Sequence, residues 1–249
     1  MATRSKKLGT GSAEKTAKPS ATSSSKAVLA RLAELGEPRN VEGLARYGIV
    51  AKKAFGVPVG VLQAEAMRLG RDHDLALELW ESGWYEARLL AAFVDEPERV
   101  TLAQMNAWAK DFDNWGVCDT VCLHLFDRSK LAYGRIAPWA KRREEFVKRA
   151  GFALLASLAL HDKKAADERF FESFELLEHA AADGRNFVKK AVSWALRSIG
   201  HRSLASNARA VALARKLASD SDATRRWVGK DVLRDLTRPA VIAKLRRRD

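Results

Sequence analysis

The stretch WAKRREEFVKRAGFALLASLAL, residues 139–160, sets the fold class of this chain of 249 residues. After its basic opening, apolar residues recur at spacings of three and four, which is the period of an α-helix. The same period recurs in six further stretches, which are residues 26–35, 59–69, 74–80, 86–94, 170–180 and 210–218. Runs of alternating β-branched residues, which would indicate strands, are missing from the sequence. The sequence therefore predicts an all-α protein.

Short breaks divide the helical pattern into about a dozen helices of about 10 to 18 residues. Glycine and proline mark several breaks, as at 36–38 and 56–58, and Thr101 and Asn114 stand where a side chain would cap the next helix. Short helices with short connections pack as antiparallel pairs, and stacked pairs form an α-solenoid. Because no consensus of about 33 or 34 residues repeats, ankyrin and TPR arrays are disfavoured and HEAT-like pairs remain.

The charge balance indicates a polyanionic partner. The chain has 44 Lys and Arg residues against 31 Asp and Glu residues, which gives a net charge of +13. Such an excess favours nucleic acid, and less often an anionic membrane. No apolar stretch approaches the roughly 18 residues that a membrane span needs, so we expect no membrane partner. Nucleic acid is therefore the favoured partner.

Residues 1–26 differ in composition from the rest of the chain. They are poor in large apolar residues and rich in Ser, Thr, Ala and Lys, so they cannot offset the entropy of ordering and are predicted to be a disordered basic tail. This tail is interpreted either as a solubilising extension or as a non-specific DNA tether. Residues 27–249 are predicted to form a single HEAT-like helical domain, which we expect to be a monomer.

Cys118 and Cys122 are the two cysteines of the chain, and they stand four residues apart. A disulfide at this helical spacing is geometrically awkward, and so few cysteines are typical of a reducing compartment. The basic N-terminus is followed by no apolar core, so no secretory signal is predicted and we expect the bacterial cytoplasm or nucleoid. His124 makes a zinc site conceivable, but no fourth ligand stands at motif spacing. A reduced helix-packing pair is favoured, and neither a metal nor a cofactor is predicted.

One candidate site combines an aromatic residue with a carboxylate. If Asn114 caps a helix, Trp115 and Asp119 stand four residues apart and share one face of that helix. An aromatic ring beside a carboxylate would receive a planar cationic group, since the ring attracts it by a cation–π interaction and the carboxylate by charge. A core tryptophan beside a surface aspartate is the alternative interpretation.

Two stripes of basic residues suggest contacts with a phosphate backbone. Lys190, Trp194 and Arg197 share one helical face, which suits a backbone whose sugar packs on the ring and whose oxygens meet the cations. An ordinary structural face is the alternative for this stripe. A second stripe, for which a solvated face is the alternative, consists of Arg226, Lys230 and Arg234.

Four elements of the sequence carry a resemblance to a known family. They are ARYG (45–48), N-W-x-x-x-D (114–119), E-F-V-K-R-A (145–150) and F-V-K-K-A-x-x-W-x-L-R (187–197). In this order they resemble the AlkD family of DNA alkylation repair enzymes, which are HEAT-like repeat glycosylases. The similarity runs from about residue 27 to about residue 235. One departure is Gly116, which stands in place of the acidic residue often seen after the tryptophan.

The resemblance implies a metal-free site for DNA. The roles it assigns are Asp119 as the catalytic carboxylate, Trp115 and Trp194 beside the damaged nucleotide, Arg149 holding DNA next to them, Tyr47 facing the duplex and Arg197 on a phosphate. Together with the basic stripes, the predicted contacts to the DNA backbone are Lys190, Arg197, Arg226 and Lys230. The family is also implied to act without drawing the base into a pocket, unlike most glycosylases.

The chemistry that fits such a site is hydrolysis of the N-glycosidic bond of an N3- or N7-alkylated purine in duplex DNA. The alkylated base carries a positive charge and leaves without protonation, so one carboxylate that stabilises the oxocarbenium-like sugar and positions a water is sufficient. A non-catalytic HEAT-like DNA-binding protein of the same family would share the basic groove without needing Asp119. A protein–protein scaffold is also compatible with an α-solenoid, although the charge of +13 argues against it.

Overall fold

The protein is described by a computed structural model that covers residues 24–248. These residues form fifteen α-helices and two short 3-10 helices, and no strand occurs among them, so the all-α prediction is confirmed. The α-helices are α1 (Ser25–Leu35), α2 (Pro38–Leu44), α3 (Val59–Leu69), α4 (His73–Glu81), α5 (Tyr85–Val94), α6 (Leu102–Lys110), α7 (Trp115–His124), α8 (Tyr133–Ala140), α9 (Glu145–His161), α10 (Glu168–Phe171), α11 (Phe174–Ala180), α12 (Asn186–Gly200), α13 (Leu204–Ala218), α14 (Ala223–Leu236) and α15 (Pro239–Arg246). The 3-10 helices are Ala45–Tyr47 and Phe126–Arg128.

The helices stack as pairs in the order of the chain. Neighbours in sequence pack on each other, as α4 does with α5, α8 with α9, and α13 with α14. The second members of successive pairs also pack on one another, α5 on α7, α7 on α9, α9 on α12 and α12 on α14. We call these five helices the inner layer. Such stacking is that of a HEAT-like solenoid, in which each pair covers the apolar face of the next, so the predicted architecture is confirmed.

Side-chain caps begin α6 and α7 where the sequence indicates. Thr101 and Gln104 form a reciprocal capping box at the start of α6. At the start of α7, the Asn114 side chain accepts a hydrogen bond from the backbone N–H of Val117 at 3.0 Å. Each cap satisfies backbone donors that the first turn of a helix leaves unpaired. The Asn114 cap fixes the residue at which α7 begins, and therefore which of its side chains face the same way.

The N-terminal boundary and the helix lengths differ from the expectation. The Ser24 hydroxyl accepts a hydrogen bond from the backbone N–H of Ala27 at 3.3 Å and caps α1. Ser24, Ser25 and Lys26, which the composition assigns to the tail, therefore belong to α1 and its cap, and residues 1–23 lie outside the described residues. The helices are also more uneven than expected, from four residues in α10 to 17 in α9, because some connections fold into single helical turns.

The apolar part of α9 lies at the centre of the core, where it packs against α7, α8 and α12. Gly151 allows the close approach of α8, since a β-carbon at this position would lie 2.6 Å from the backbone nitrogen of Ala140 and 2.9 Å from the carbonyl oxygen of Ile136. The stretch that predicts the fold class thus forms most of the described helix with the largest number of buried residues. Within residues 24–248, no helix is both long and apolar enough to cross a membrane.

Gly151→Ala is expected to lower the free energy of unfolding by about 1–3 kcal/mol, because the added methyl group must push α8 away from α9. Gly134→Ala is the control, since Gly134 is exposed on α8 and no atom of another described helix lies within 4 Å of its β-carbon position. This control should leave stability unchanged or raise it by up to about 1 kcal/mol. Chemical denaturation measures the difference, and equal stability of the two variants would contradict the close packing.

Candidate nucleic-acid interface and active site

The fifth residues of four successive inner-layer helices line one cleft. They are Asp119 in α7, Arg149 in α9, Lys190 in α12 and Trp227 in α14. The cleft has a volume of about 760 Å³, and Arg46, Tyr47 and Gly48 line it from the N-terminal part of the chain. Because the four residues occupy the same turn of neighbouring helices, stacking brings together segments that are far apart in sequence.

Asp119 and Arg149 form a bidentate ion pair across the interface of α7 and α9. Arg149 Nε donates to Asp119 Oδ1 at 2.8 Å, and Arg149 Nη2 donates to Asp119 Oδ2 at 2.6 Å. The remaining terminal nitrogen of Arg149, Nη1, donates to the carbonyl oxygen of Phe187 at 2.6 Å, at the start of α12. Only 8% of the Arg149 side chain and 19% of the Asp119 side chain are exposed. The DNA contact expected of Arg149 stays a prediction, because its nearly covered guanidinium already holds Asp119.

Burial and the ion pair act in opposite directions on the pKa of the Asp119 carboxyl group. Burial raises the pKa of the Asp119 carboxyl group above its ordinary value, and the charge and hydrogen bonds of Arg149 oppose that rise. Loss of water favours the neutral acid, whereas a paired guanidinium favours the anion. Arg149 therefore opposes the tendency of burial to neutralise the Asp119 carboxyl group.

The predicted aromatic residues lie in the same cleft. Trp115 is half-buried, and its indole N–H donates to the carbonyl oxygen of Tyr47 at 2.8 Å, which ties the 3-10 helix Ala45–Tyr47 to the start of α7. The Tyr47 side chain itself is exposed to 69%. Trp194 is half-buried and lines the cleft from the third turn of α12. The structure thus brings together Asp119 and the three aromatic residues that the resemblance implied.

The packing around Gly116 explains why this position holds a glycine and not the acidic residue often seen after the tryptophan in the family. A β-carbon at this position would lie 2.6 Å from the hydroxyl oxygen of Tyr85 and 3.2 Å from the side chain of Ile49. A larger residue would have to displace these groups from the start of α7. The departure therefore changes the packing behind Trp115 and leaves the cleft face of α7 intact.

The two basic stripes differ in whether their cations line the cleft. Lys190 is exposed and lines the cleft, as does Arg197, whose Nε has no hydrogen-bond partner among the described residues and lies 3.8 Å from Asp231 Oδ2. By contrast, Arg226 and Lys230 do not line this cleft. The Arg226 guanidinium donates to backbone carbonyl oxygens at the turn before α14, one of them that of Asp220 at 3.0 Å, and the Lys230 side chain is exposed.

Sequence reasoning missed Arg46, Trp227 and Asp231, all of which line the cleft. The signal for two of them was present, because Trp227 and Asp231 repeat the tryptophan-to-aspartate spacing of Trp115 and Asp119. The predicted contacts to the DNA backbone are instead Arg226 and Lys230, which stand one residue before Trp227 and Asp231. Asp231 accepts a hydrogen bond from the Ser193 hydroxyl at 2.6 Å and also pairs with Arg234. The last member of the predicted stripe is therefore engaged with a cleft carboxylate.

The two cysteines serve the packing of α7 on α9. Both are buried, and their Sγ atoms lie 3.6 Å from the carbonyl oxygen of Phe146 and 3.7 Å from that of Ala150. Within the part of the chain that the structure describes, no group of three potential metal ligands gathers around them or elsewhere. The interpretation of Cys118 and Cys122 as a reduced helix-packing pair agrees with these contacts.

Stacked helix pairs with a cleft of cations, tryptophans and one arginine-held aspartate define a HEAT-like repeat protein. The family model described as "DNA alkylation repair enzyme" matches residues 28–230, and the chain belongs to this family. No sequence among curated proteins matches the chain. A solved structure described under "A new family of proteins related to the HEAT-like repeat DNA glycosylases with affinity for branched DNA structures" has the same fold. Its TM-score is 0.72 at 18% identity, over 85% of this chain and 95% of that one.

Arg149→Met is expected to lower the free energy of unfolding by about 3–5 kcal/mol at neutral pH, because Asp119 is left buried without its partner. The pKa of Asp119 then rises further above its value in the unfolded chain. Folding at neutral pH would therefore require proton uptake, and the deficit should shrink as the pH falls toward the ordinary carboxyl pKa of about 4.

Denaturation of wild type and Arg149→Met over this pH range measures the effect. The double variant Arg149→Met/Asp119→Asn is the control, because the amide carries no charge to be left unpaired. It should be more stable than Arg149→Met at neutral pH, and its deficit should not change with pH in the same way. A pH-independent deficit of Arg149→Met would contradict the coupling.

Proposed function

We propose that the protein is a DNA glycosylase that hydrolyses the N-glycosidic bond of cationic N3- and N7-alkylated purines in duplex DNA. The observation that carries the proposal is the arginine-held carboxylate of Asp119, which lines one cleft together with two half-buried tryptophans and several cations. Membership of the DNA alkylation repair enzyme family supports the same reaction class. We also propose that the protein acts as a monomer.

Asp119 has the position and the capacity to stabilise the sugar cation. A carboxylate oxygen has two acceptor sites, so the bidentate contact with Arg149 leaves a further lone pair on each oxygen. These lone pairs can orient a water molecule, and the negative charge lies where the C1′ carbon develops positive charge. Because Asp119 is fixed by two short hydrogen bonds and little exposed, the charge is preorganised in a place of reduced solvent screening.

The leaving group needs no proton from the protein. An N3- or N7-alkylated purine already carries a positive charge, which disappears as the base departs. Trp115 and Trp194 provide aromatic faces that attract such a cation while it is bound. Asp231, the other carboxylate of the cleft, accepts hydrogen bonds from Ser193 and Arg234, so it is arranged as an acceptor and not as an acid for a neutral base.

Duplex DNA is the partner that the cations of the cleft fit. Lys190 is exposed, and Arg197 has a guanidinium N–H without a hydrogen-bond partner among the described residues, which is the kind of donor that a phosphate oxygen satisfies. Arg46 adds a third cation on the opposite side. The solved relative has affinity for branched DNA by its description, which supports DNA as the class of partner.

The second candidate function is DNA binding without chemistry. The observation that favours it is the same ion pair, because Arg149 compensates much of the charge that Asp119 would offer to a sugar cation. In that case the cleft would position DNA, and Asp119 would serve to hold α7 on α9. Variants of Asp119 separate the two functions, since only the glycosylase needs its charge for turnover.

Asp119→Asn is expected to lower the rate of release of 7-methylguanine by about a hundredfold or more, because the amide keeps the shape of the carboxylate and removes its charge. Trp115→Ala and Trp194→Ala should cost less, since each removes positioning and not the charge. The rate of 7-methylguanine release is measured under single-turnover conditions with the duplex saturated by the protein, because this rate reports the chemical step apart from binding.

Asp167→Asn is the matched control for this variant. Asp167 also pairs with a nearly covered arginine, Arg202, at 2.8 Å, and its side chain is exposed to 22%, close to the value for Asp119, but it lies outside the cleft. It should retain the wild-type rate. Wild-type turnover by Asp119→Asn would remove Asp119 from the chemistry, and a wild type that releases no alkylpurine would favour the DNA-binding function.

Neutral lesions are expected to be poor substrates. Hypoxanthine leaves as a base that must be protonated, and no acid is arranged for this in the described cleft. Release of hypoxanthine should therefore be at least about a hundredfold slower than release of 7-methylguanine, which is the scale of a general-acid contribution. The two rates are compared in duplexes of the same sequence, and equal rates would contradict a mechanism that depends on the charge of the leaving base.

A further inference from the structure

A second concavity, of about 290 Å³, lies between the C-terminal ends of α9 and α12 and the last helix, α15. Its floor is apolar, and its edges carry the cationic side chains of Lys163, Lys244 and Arg248 and the imidazole of His201, which is hydrogen-bonded to Asp235. No carboxylate occurs among the described residues that line it. A recess that gathers cations over an apolar floor has the composition of an anion-binding site.

The three cations, Lys163, Lys244 and Arg248, have no counter-charge among the described residues. Lys163, Lys244 and Arg248 are exposed, and none of them forms an ion pair with a carboxylate within residues 24–248, whereas the neighbouring Arg202 is paired with Asp167. Burial lowers the pKa of Lys163, and the positive charges of Arg202, Arg248 and Lys244 lower it further. Like charges held close together repel one another, and a polyanion removes that repulsion.

The second concavity lies on the same face of the inner layer as the cleft. Along α12, Ser198 and His201 line the concavity and stand four residues after Trp194 and Arg197, which line the cleft. Along α9, Leu160 lines the concavity eleven residues after Arg149, a distance of about 16 Å on the helix axis. The cleft and the second concavity are therefore both accessible to one extended ligand that lies along this face.

We propose that Lys163, Lys244 and Arg248, which we call the C-terminal basic site, bind the phosphate backbone of the DNA strand opposite the one held in the cleft. This rests on the proposed binding of duplex DNA. The two backbones of a duplex are separated by grooves of about 12 Å and about 6 Å. Both widths are smaller than the distance of about 16 Å along α9 between the two sites, so when one backbone lies in the cleft the second falls within this span. Lysine and arginine are the usual ligands of phosphate oxygens.

The first test is the salt dependence of binding to an undamaged duplex. Lys163→Gln/Lys244→Gln keeps most of each side-chain stem and removes two charges. The slope of log K against log salt should become shallower by about 2, since each lost phosphate contact accounts for about 0.9. The matched control is Arg169→Gln/Arg209→Gln, which removes two charges from exposed residues of α10 and α13, helices outside the inner layer. It should keep the wild-type slope.

The second test assigns the strand. Methylphosphonate linkages, which carry no charge, are placed in either strand of a duplex that contains 7-methylguanine. In the strand opposite the lesion they should weaken binding by wild type and have little further effect on Lys163→Gln/Lys244→Gln. In the lesion strand they should weaken both proteins equally.

The proposal is overturned if Lys163→Gln/Lys244→Gln keeps the wild-type salt slope. It is also overturned if methylphosphonates weaken binding by this variant less than binding by wild type when they stand in the lesion strand and not in the opposite strand. Loss of binding to phosphatidylglycerol vesicles with unchanged DNA affinity would also overturn it, in favour of a membrane. A wild type without release but with the expected slopes would contradict the glycosylase function and leave the C-terminal basic site supported.

Discussion

The ion pair of Asp119 with Arg149 is the interaction on which the arrangement of the site depends. It joins α7 to α9 through two hydrogen bonds, and a third bond from Arg149 reaches the carbonyl oxygen of Phe187 at the start of α12. Two charges removed from water are costly unless their hydrogen-bonding groups are satisfied. Here the polar contacts that satisfy them also hold three inner-layer helices in register, so the same bonds serve the fold and the position of the carboxylate.

The register of the inner layer converts a repetitive fold into a specific cleft. Each of four helices contributes its fifth residue, and the four residues are an acid, an arginine, a lysine and a tryptophan. A shift of one residue in the start of a helix rotates its side chains by about 100°, which would turn the contributing residue away from the cleft. The Asn114 cap therefore helps to position the cleft residues of α7, although Asn114 does not itself line the cleft.

Local features of the site followed from spacing within single helices. Asn114 was predicted to cap a helix, which placed Trp115 and Asp119 on one face, and Lys190, Trp194 and Arg197 were predicted to share another. The five residues that lie within these helices behave as the 3.6-residue period requires, and Asn114 caps α7. Spacing could not show that Arg149 is used by Asp119, because that contact joins residues 30 positions apart. It depends on how α7 and α9 pack.

Local periodicity, capping and composition predict the helices, the stacking of pairs, the basic balance and the Trp115–Asp119 face. Which face of each helix meets the cleft depends on how the helices pack. In α14 the basic stripe from Arg226 to Arg234 was correctly seen as one face, but burial of Val228 and Val232 orients the helix so that Trp227 and Asp231 enter the cleft. The physical reason is that periodicity fixes the angles between the side chains of one helix, whereas the rotation of that helix is set by the apolar surface of its neighbours.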